Sequence, residues 1–595
     1  MADYIVDMKD IQFVLFEQLC VQDKILKFPR YSSFSKDDMV MLLEEAKKLA
    51  VEKIAPTNPI GDKKGCKFDK GDVKVPEEFH EIYKLYCEAG WVGAHASPEF
   101  GGQGLPGFLA PAVGDIFIGA GCAFSTYVGL TSAGSRLIET FGTDQMKKTY
   151  VPPMAAGKWT GTMLLTEPQA GSAVGDITTV GKREGDHFLL TGTKSFITAG
   201  EHDLSENIVH LVLSRTEGAP KGIKGLSLFI VPKFLPNPDG SCGKKNDIVC
   251  SRIEEKMGIH GSSTCLMTMG DNGKCVGYLI GEEGKGIQIM FHLMNEVRIG
   301  VGVQSLAQAS AAYQYALQYS KERIQGTEFH KLRDVDAERV AIIRHPDVKM
   351  MLATMKAYVE GMRALLYACA YYGDIADSTS DADEKAKYFG FMDLLTPICK
   401  AYCSDMAFQV ACTALQVYGG YGYTAEYPVE QLVRDLKVNS IYEGTNGIQA
   451  LDLLGRKVSS KGGLLFMNFI NEINTFVEAN KSHPTLAPLV EAFDKAKTSL
   501  TEVTMHLGGL SMGGDQAYPV LNATPFLEMF GDVVCAYYLL EQAVIASKKL
   551  SEGNYYKEKV QTAEFFIKNL LPRVLWRAQS IVSGSRVPLE MTFEQ

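Results

Sequence analysis

One change of periodicity constrains this chain more than any other feature. From about residue 161 to 285, short β-branched apolar runs such as Ile208 to Leu213 and Leu226 to Val231 lie between Gly, Pro, Asn and Asp. No helix-period segment of useful length separates them, so the stretch predicts an antiparallel sheet or small barrel and argues against a βαβ repeat. On either side the pattern is helical. Residues 36 to 55 place Met39, Leu42, Leu43, Ala46, Leu49, Ala50 and Ile54 at three- and four-residue intervals, behind a capping box of Ser35 and Asp38 and before Pro56. Helical patterns broken by glycine-rich turns continue to about residue 160. They return after Gly286, most clearly in Val348, Met351, Leu352, Met355, Val359, Met362 and Leu366, behind Pro346. Ser459-Ser460-Lys461-Gly462-Gly463 reads as a hinge before a last helical stretch.

The expected fold is therefore α+β: an N-terminal lead (1–35), an N-terminal α domain (36–160), a middle β domain (161–285), a C-terminal α bundle (286–455) and an additional α-helical domain (456–595). A length of 595 residues is far above what one core supports. Hydrophobic residues at 46% and charged residues at 22% exclude a disordered or fibrous chain. The formal net charge of -10 supplies no general field for phosphate backbones, which makes nucleic acid an unexpected partner. The N-terminus has no secretory pattern, and no run reaches the ~18 uncharged apolar residues of a membrane span, so a cytoplasmic protein without an integral span is expected. The 13 cysteines are odd in number and include no CxxC pair; Cys399 and Cys403 share a helix face, and buried reduced thiols are expected rather than zinc or disulfides.

Several motifs fail. Neither a Rossmann GxGxxG nor a P-loop is present. His80-Glu81-Ile82-Tyr83-Lys84 begins like HExxH but has Lys84 at the second ligand position, so no metal site is expected. Gly509-Leu510-Ser511-Met512-Gly513 matches GxSxG, but a helical pattern precedes it where a nucleophile elbow needs a strand; it reads as a glycine-rich interhelical turn.

Three distant segments carry chemistry. Met163-Leu164-Leu165-Thr166-Glu167-Pro168-Gln169-Ala170-Gly171-Ser172 offers hydroxyls, a Pro-fixed turn and small residues that expose backbone N–H groups. Gly192-Thr193-Lys194-Ser195-Phe196-Ile197-Thr198-Ala199-Gly200 sets an aromatic beside hydroxyls at a strand end. Ile441-Tyr442-Glu443-Gly444-Thr445-Asn446-Gly447 places one carboxylate at the mouth of a predicted helix, where a dipole-favoured helix-start residue is the bland reading.

Together these segments resemble TEPxAGS, WITxG and IYEGT of the acyl-CoA dehydrogenase flavoproteins, in the family's order, over roughly residues 36 to 455; the C-terminal stretch marks the family's long form. The resemblance implies FAD held between the β and third units. It carries cofactor contacts onto Met163, Leu165, Thr166, Gly171, Ser172, Phe196, Ile197, Thr198, Thr445 and Gly447, and onto Arg323, Gln416, Gly419 and Gly420 toward a neighbouring subunit's FAD, hence at least a homodimer. Substrate contacts fall on Ser172, Asn295, Arg298, Glu443 and Gly444. Glu443 matches the base that takes the α proton of an acyl-CoA while the β hydrogen leaves as hydride to flavin N5, giving a trans-2-enoyl-CoA, with electron-transferring flavoprotein as acceptor. The position before Arg298, where some members keep their base, is Val297, and Glu296 is the local rival. Phe196 replaces the family's Trp, Ala173 its Asp and His260 its Arg. An acyl-CoA oxidase or a catalytically altered flavin-binding relative of the same fold is the alternative. The extension shows no dense basic stripe, which favours packing over a membrane-surface role.

Overall fold

The computed structural model describes residues 3–594. In chain order the principal helices before the sheet are α1 (Met8–Phe13), α2 (Lys36–Leu49), α3 (Glu78–Glu88), α4 (Leu109–Ala120), α5 (Cys122–Phe141) and α6 (Asp144–Ala155). The sheet strands are β1 (Trp159–Leu164), β2 (Val180–Glu184), β3 (His187–Thr198), β4 (Asn207–Thr216), β5 (Leu226–Pro232), β6 (Ile248–Ile253), β7 (Thr264–Met269) and β8 (Val276–Ile280). Helices follow again: α7 (Gly286–Glu322), α8 (Pro346–Ser378), α9 (Ala382–Tyr418), α10 (Val429–Leu436) and α11 (Asn446–Asp452). The C-terminal stretch adds α12 (Ser460–Asn480), α13 (Ala487–Met512), α14 (Ala523–Ser547), α15 (Asn554–Phe565) and α16 (Arg573–Val582).

Two compact units result. One takes in residues up to Glu44, Gly107–Asp115 and the chain from Arg298 onward; the other consists of Glu45–Pro106 and Ile116–Val297.

The second unit is built on the eight-stranded sheet, ordered β6-β7-β3-β8-β5-β4-β1, with β2 paired to both β3 and β4. Most pairs are antiparallel, as the absence of intervening helices requires, but β1 and β2 each run parallel to β4. β5 is buried at every position, which explains why its sequence is apolar on both faces, Ser227 excepted, instead of alternating. One face packs Leu211, Leu213, Leu228 and Ile230 against Ile138, Val151 and Met154 of the preceding helices. The other gathers Val212, Phe229, Val231, Leu190 and Met267.

The first unit is helical. The expected capping box forms at α2: Asp38 Oδ2 accepts from the Ser35 N–H at 2.8 Å, and Ser35 Oγ accepts from the Asp38 N–H at 3.2 Å. α8 and α9 pair as a long hairpin, α8 beginning at Pro346 as expected. The anticipated hinge is a left-handed turn, with φ of 50, 70 and 87° at Lys461, Gly462 and Gly463. The GxSxG residues depart from expectation. Gly509 to Met512 form the last turn of α13, because Gly513 is the residue that caps the helix.

The C-terminal stretch packs on the bundle: Phe530 of α14 meets Phe466 of α12 with ring centroids 5.7 Å apart, and Phe469 meets Phe391 of α9 at 5.3 Å. Among the described residues α14 alone is long and apolar enough to cross a membrane, but 83% of its apolar window is buried inside the molecule. Its Asp532 pairs with Arg573 and Arg577, as in a core helix. None of the 13 cysteines is in a disulfide, Cys399 and Cys403 lie buried in α9, and no group of metal-ligating side chains occurs among the described residues.

Candidate active site

In the second unit, β1 runs directly into the Leu165–Ser172 loop, and one carboxylate organises it. Glu167, 2% exposed, accepts from the Thr178 N–H (2.6 Å) and Oγ1 (2.9 Å), the Thr179 N–H (3.0 Å) and hydroxyl, Gln169 Nε2 (2.7 Å) and the Lys194 ammonium (2.9 Å). Burial alone would raise this carboxyl; the Lys194 charge and the threonine donors outweigh it and hold Glu167 at about 2. Lys194 also donates to Leu165 O at 2.9 Å, the Ser195 N–H to Thr166 O at 2.8 Å, and Thr162 Oγ1 to Thr198 O at 2.5 Å. The first two expected segments are thus clasped together.

The end of β3 carries a bulge. Opposite β7 the pairing passes from Ile197 to Lys194 while β7 advances only from Cys265 to Met267, so Ser195 and Phe196 stand against the one residue Leu266, and Phe196 takes a φ of 59°. A bulge re-aims a side chain, and here it presents the Phe196 ring 66% exposed. Beside it Met163, Leu165, Thr166 and Thr198 are half-buried and Gly171 and Ser172 exposed, whereas the Ile197 side chain belongs to the sheet core. Nothing stands within 4 Å of where a Gly171 Cβ would be.

In the first unit the third segment forms a left-handed reversal. Glu443 and Gly444 take φ of 56° and 83°, after which Thr445 caps α11, its Oγ1 accepting from the Ile448 N–H at 3.3 Å. Glycine is required at 444, since a Cβ would meet Gln449 Nε2 at 2.7 Å. That amide donates to Glu443 O at 3.4 Å and Gly444 O at 3.3 Å, fixing a turn that a glutamate adopts only at a conformational cost. Tyr442 is anchored by donating to Gln304 of α7, and Asn439 Nδ2 donates to Ser305 Oγ at 3.0 Å.

Two cations flank the Glu443 carboxyl. Arg298, 4% exposed, donates to Asp452 Oδ2 at 3.0 Å, and its buried Nε has no partner among the described residues. Lys400 of α9 is fully buried and donates to Asn446 Oδ1 at 2.8 Å. Glu443 is half-buried; burial pushes its carboxyl above the ordinary carboxylate value, and Arg298 and Lys400 oppose the rise.

Glu443, Gly444, Thr445, Gly447 and Arg298 are therefore gathered around one turn. Arg323, Gln416, Gly419 and Gly420 form a separate exposed group, where the Arg323 guanidinium lies 5.5 Å from the Tyr421 ring and Tyr418 stacks on Tyr319 at 4.0 Å. Asn295 is half-buried on the part of α7 that belongs to the second unit. The rival Glu296 is exposed and tied to Arg136 at 2.9 Å. His260, in the family's Arg position, pairs with Asp62 at 2.9 Å. Lys400, Gln449 and Lys194 were not expected at the site. The signal for Lys400 is a lone lysine in Pro397-Ile398-Cys399-Lys400-Ala401-Tyr402-Cys403.

Sequence profiles of the acyl-CoA dehydrogenase N-terminal, middle and C-terminal domains match residues 36–158, 162–271 and 284–458, and one described as "Acetyl-CoA dehydrogenase C-terminal like" matches 469–592. The "3-methylmercaptopropionyl-CoA dehydrogenase" of Ruegeria pomeroyi is 37% identical over 577 residues, covering 96% of each chain. The chain belongs to the acyl-CoA dehydrogenase family. It is an FAD-dependent oxidoreductase, and the profile beyond residue 469 places it in the long form.

Among solved structures, "Acyl-CoA Dehydrogenase complexed with FAD from Bacillus anthracis" shares the fold at TM-score 0.73 and 23% identity, covering 95% of this chain and 91% of that one. A second, "Electron transferring flavoprotein of Acidaminococcus fermentans: Towards a mechanism of flavin-based electron bifurcation", has a TM-score of 0.58 and 27% identity, covering 71% of this chain and 97% of that one. The residues of this acyl-CoA dehydrogenase fit FAD on their own chemistry. A large aromatic held in solvent by a strained bulge, beside bare Gly171 and the Thr166 and Ser172 hydroxyls, is a face suited to a planar ring with hydrogen-bonding edges.

Proposed function

We propose that the enzyme desaturates an acyl-CoA thioester between its α and β carbons, giving the trans-2-enoyl-CoA, with Glu443 as base. The observation that carries this reading is the state of Glu443. Its carboxyl is half-buried on a strained turn, raised by burial, and among the described residues it takes no hydrogen bond or ion pair. An unbonded carboxylate in such surroundings is available to accept a proton, and its raised basicity narrows the gap to a weakly acidic thioester α C–H. When bound, FAD supplies the acceptor for the hydride that leaves the β carbon. Met163, Leu165, Thr166, Gly171, Ser172, Phe196 and Thr198 bind and orient the flavin in the second unit, and Ile197, whose side chain lies in the sheet core, offers its backbone alone. In the first, Thr445 and Gly447 contact it, Arg298 and Gly444 orient the thioester beside Glu443, and the exposed group at Arg323 and Gln416–Gly420 serves a second copy of the chain.

The name of the Ruegeria relative supports a short thioether acyl chain as one substrate to test, and that of the Acidaminococcus structure supports an electron-transferring flavoprotein as acceptor. Anaerobic bleaching of the bound flavin across a panel of acyl-CoAs reads the reductive half-reaction without the acceptor. Glu443→Gln is expected to keep its yellow FAD and to bleach about 10²–10⁴-fold more slowly; near-normal bleaching by that variant would sink the assignment. Stoichiometric peroxide from the wild type in air would replace the dehydrogenase reading with an oxidase.

A further inference from the structure

Buried cations in the first unit touch carboxylates: Arg298 meets Asp452 at 3.0 Å, Arg363 meets Asp115 at 2.8 Å and Lys559 meets Glu360 at 3.1 Å. Lys400 differs. With 0% exposure it donates to a neutral amide, Asn446 Oδ1, and among the described residues it forms no ion pair. A buried ammonium without a touching anion costs several kcal/mol, so its retention requires something that benefits from an uncancelled positive charge. Its position supplies the candidate. Asn446 is the first residue of α11, three after Glu443, and α9 grips it from both sides: Asn446 Nδ2 donates to Ala401 O at 3.2 Å and to Ser404 Oγ at 3.0 Å.

We propose that Lys400 is a positioning residue for Glu443, which fixes the end of the left-handed turn through Asn446 and holds an uncancelled positive charge toward the half-buried carboxyl. This inference rests on the reading of Glu443 as the base.

Of the two charges that lower Glu443, Arg298 acts the more strongly and Lys400 second, but Lys400 also holds the turn through Asn446. From α7, Arg298 faces Glu443, but its guanidinium is already met by Asp452, which also receives Arg456 Nε at 2.6 Å. From α9, Asp405 also acts on Lys400, but among the described residues the two form no ion pair, and burial pushes Asp405 itself up. Burial pulls Lys400 down to about 8 while Asp405 and Glu443 oppose the fall, which leaves it protonated at neutral pH. Removing that charge removes a cause that lowers Glu443. The carboxyl then titrates higher, and the pH above which it can act as a base rises with it.

The test uses the FAD-loaded full chain and follows the rate of anaerobic flavin bleaching against pH, with an acyl-CoA that bleaches the wild type. Lys400→Met keeps the length of the side chain and removes the charge. Asn446→Asp keeps the volume and sets a carboxylate against the ammonium. Both variants are expected to shift the acid limb upward by about one pH unit, a roughly tenfold slower rate below the limb that converges on wild type at high pH. Flavin content and KM are expected to hold, which a merely structural role would not predict. An acid limb left in place in either folded variant overturns the proposal, and Asn446→Asp decides it alone if Lys400→Met does not fold. The two readings fail separately: bleaching by Glu443→Gln removes the base assignment, whereas an inert Glu443→Gln with an unmoved limb in the other variants removes only Lys400.

Discussion

At the scale of single residues, the loop of the proposed flavin face depends on Glu167, whose six donors come from Gln169, Thr178, Thr179 and Lys194. Glu167→Gln removes the charge that Lys194 is buried against. Leaving one member of a buried pair costs about 3–5 kcal/mol, so the variant is expected to melt earlier and to lose flavin on gel filtration. Glu167→Gln/Lys194→Met is expected to recover part of that loss, and thermal unfolding of the four chains in a double-mutant cycle measures the coupling. Strict additivity would show that the pair does not organise the loop. A second residue fixes a pH dependence. Burial pushes the Glu541 carboxyl up to about 7, with the Tyr537 and Gln18 donors opposing. A folded value above the unfolded one means that its contribution is fully present below about 4.3 and is lost as pH rises through 7. Glu541→Gln cannot ionise, so its stability relative to wild type is expected to improve between pH 5 and 8, followed by urea unfolding at each pH.

Among elements, α14 packs tightly against α9 at Gly531. A Cβ on Gly531 would fall 2.2 Å from Tyr402 Cδ2, inside a contact whose Tyr402 hydroxyl donates to Asp532 at 2.7 Å. Gly531→Ala is expected to cost about 1–3 kcal/mol by overpacking, against the usual gain of Ala over Gly inside a helix, read as a lower midpoint in urea. An unchanged or higher midpoint would show that the helices separate freely. What the sequence made legible at this scale was local. The helix-to-strand switch shows in periodicity, the α2 cap in the spacing of Ser35 and Asp38, and the candidate base in the residues around Glu443. The parallel pairing of β1 with β4 leaves no local trace, because a strand records which positions are buried and not which neighbour buries them. The role of Lys400 was illegible for the same reason: its partner Asn446 lies 46 residues away, and a lone lysine in an apolar stretch of α9 does not record what it meets. The positive φ of Glu443 and Phe196 also escaped notice, since neither is a glycine to signal it.

For the whole molecule, the chain's two ends meet in one buried charge network in the first unit. Asp10 of α1 accepts from Arg363 of α8 and from Lys559 of α15; Arg363 also reaches Asp115 at 2.8 Å, and Lys559 reaches Glu360 at 3.1 Å and Gln542 Oε1 at 3.0 Å. Each of these charged groups is at most 4% exposed. The residues added beyond α11 are thus built into the core of the first unit. Truncation after Val458 would strip Asp10 and Glu360 of the Lys559 ammonium and uncover the faces of α8 and α9 on which α12 and α14 pack, where Phe391 and Tyr402 are buried. That combination of uncompensated buried charge and a large apolar face predicts an aggregated product without FAD. Lys559→Met separates the two causes, since it leaves the apolar packing in place; it is expected to fold, bind FAD and melt with a loss of about 3–5 kcal/mol. Gel filtration with flavin absorbance on both chains checks the pair. A truncated chain that elutes as a folded, yellow protein would show that the extension is an appendage and that the network is dispensable.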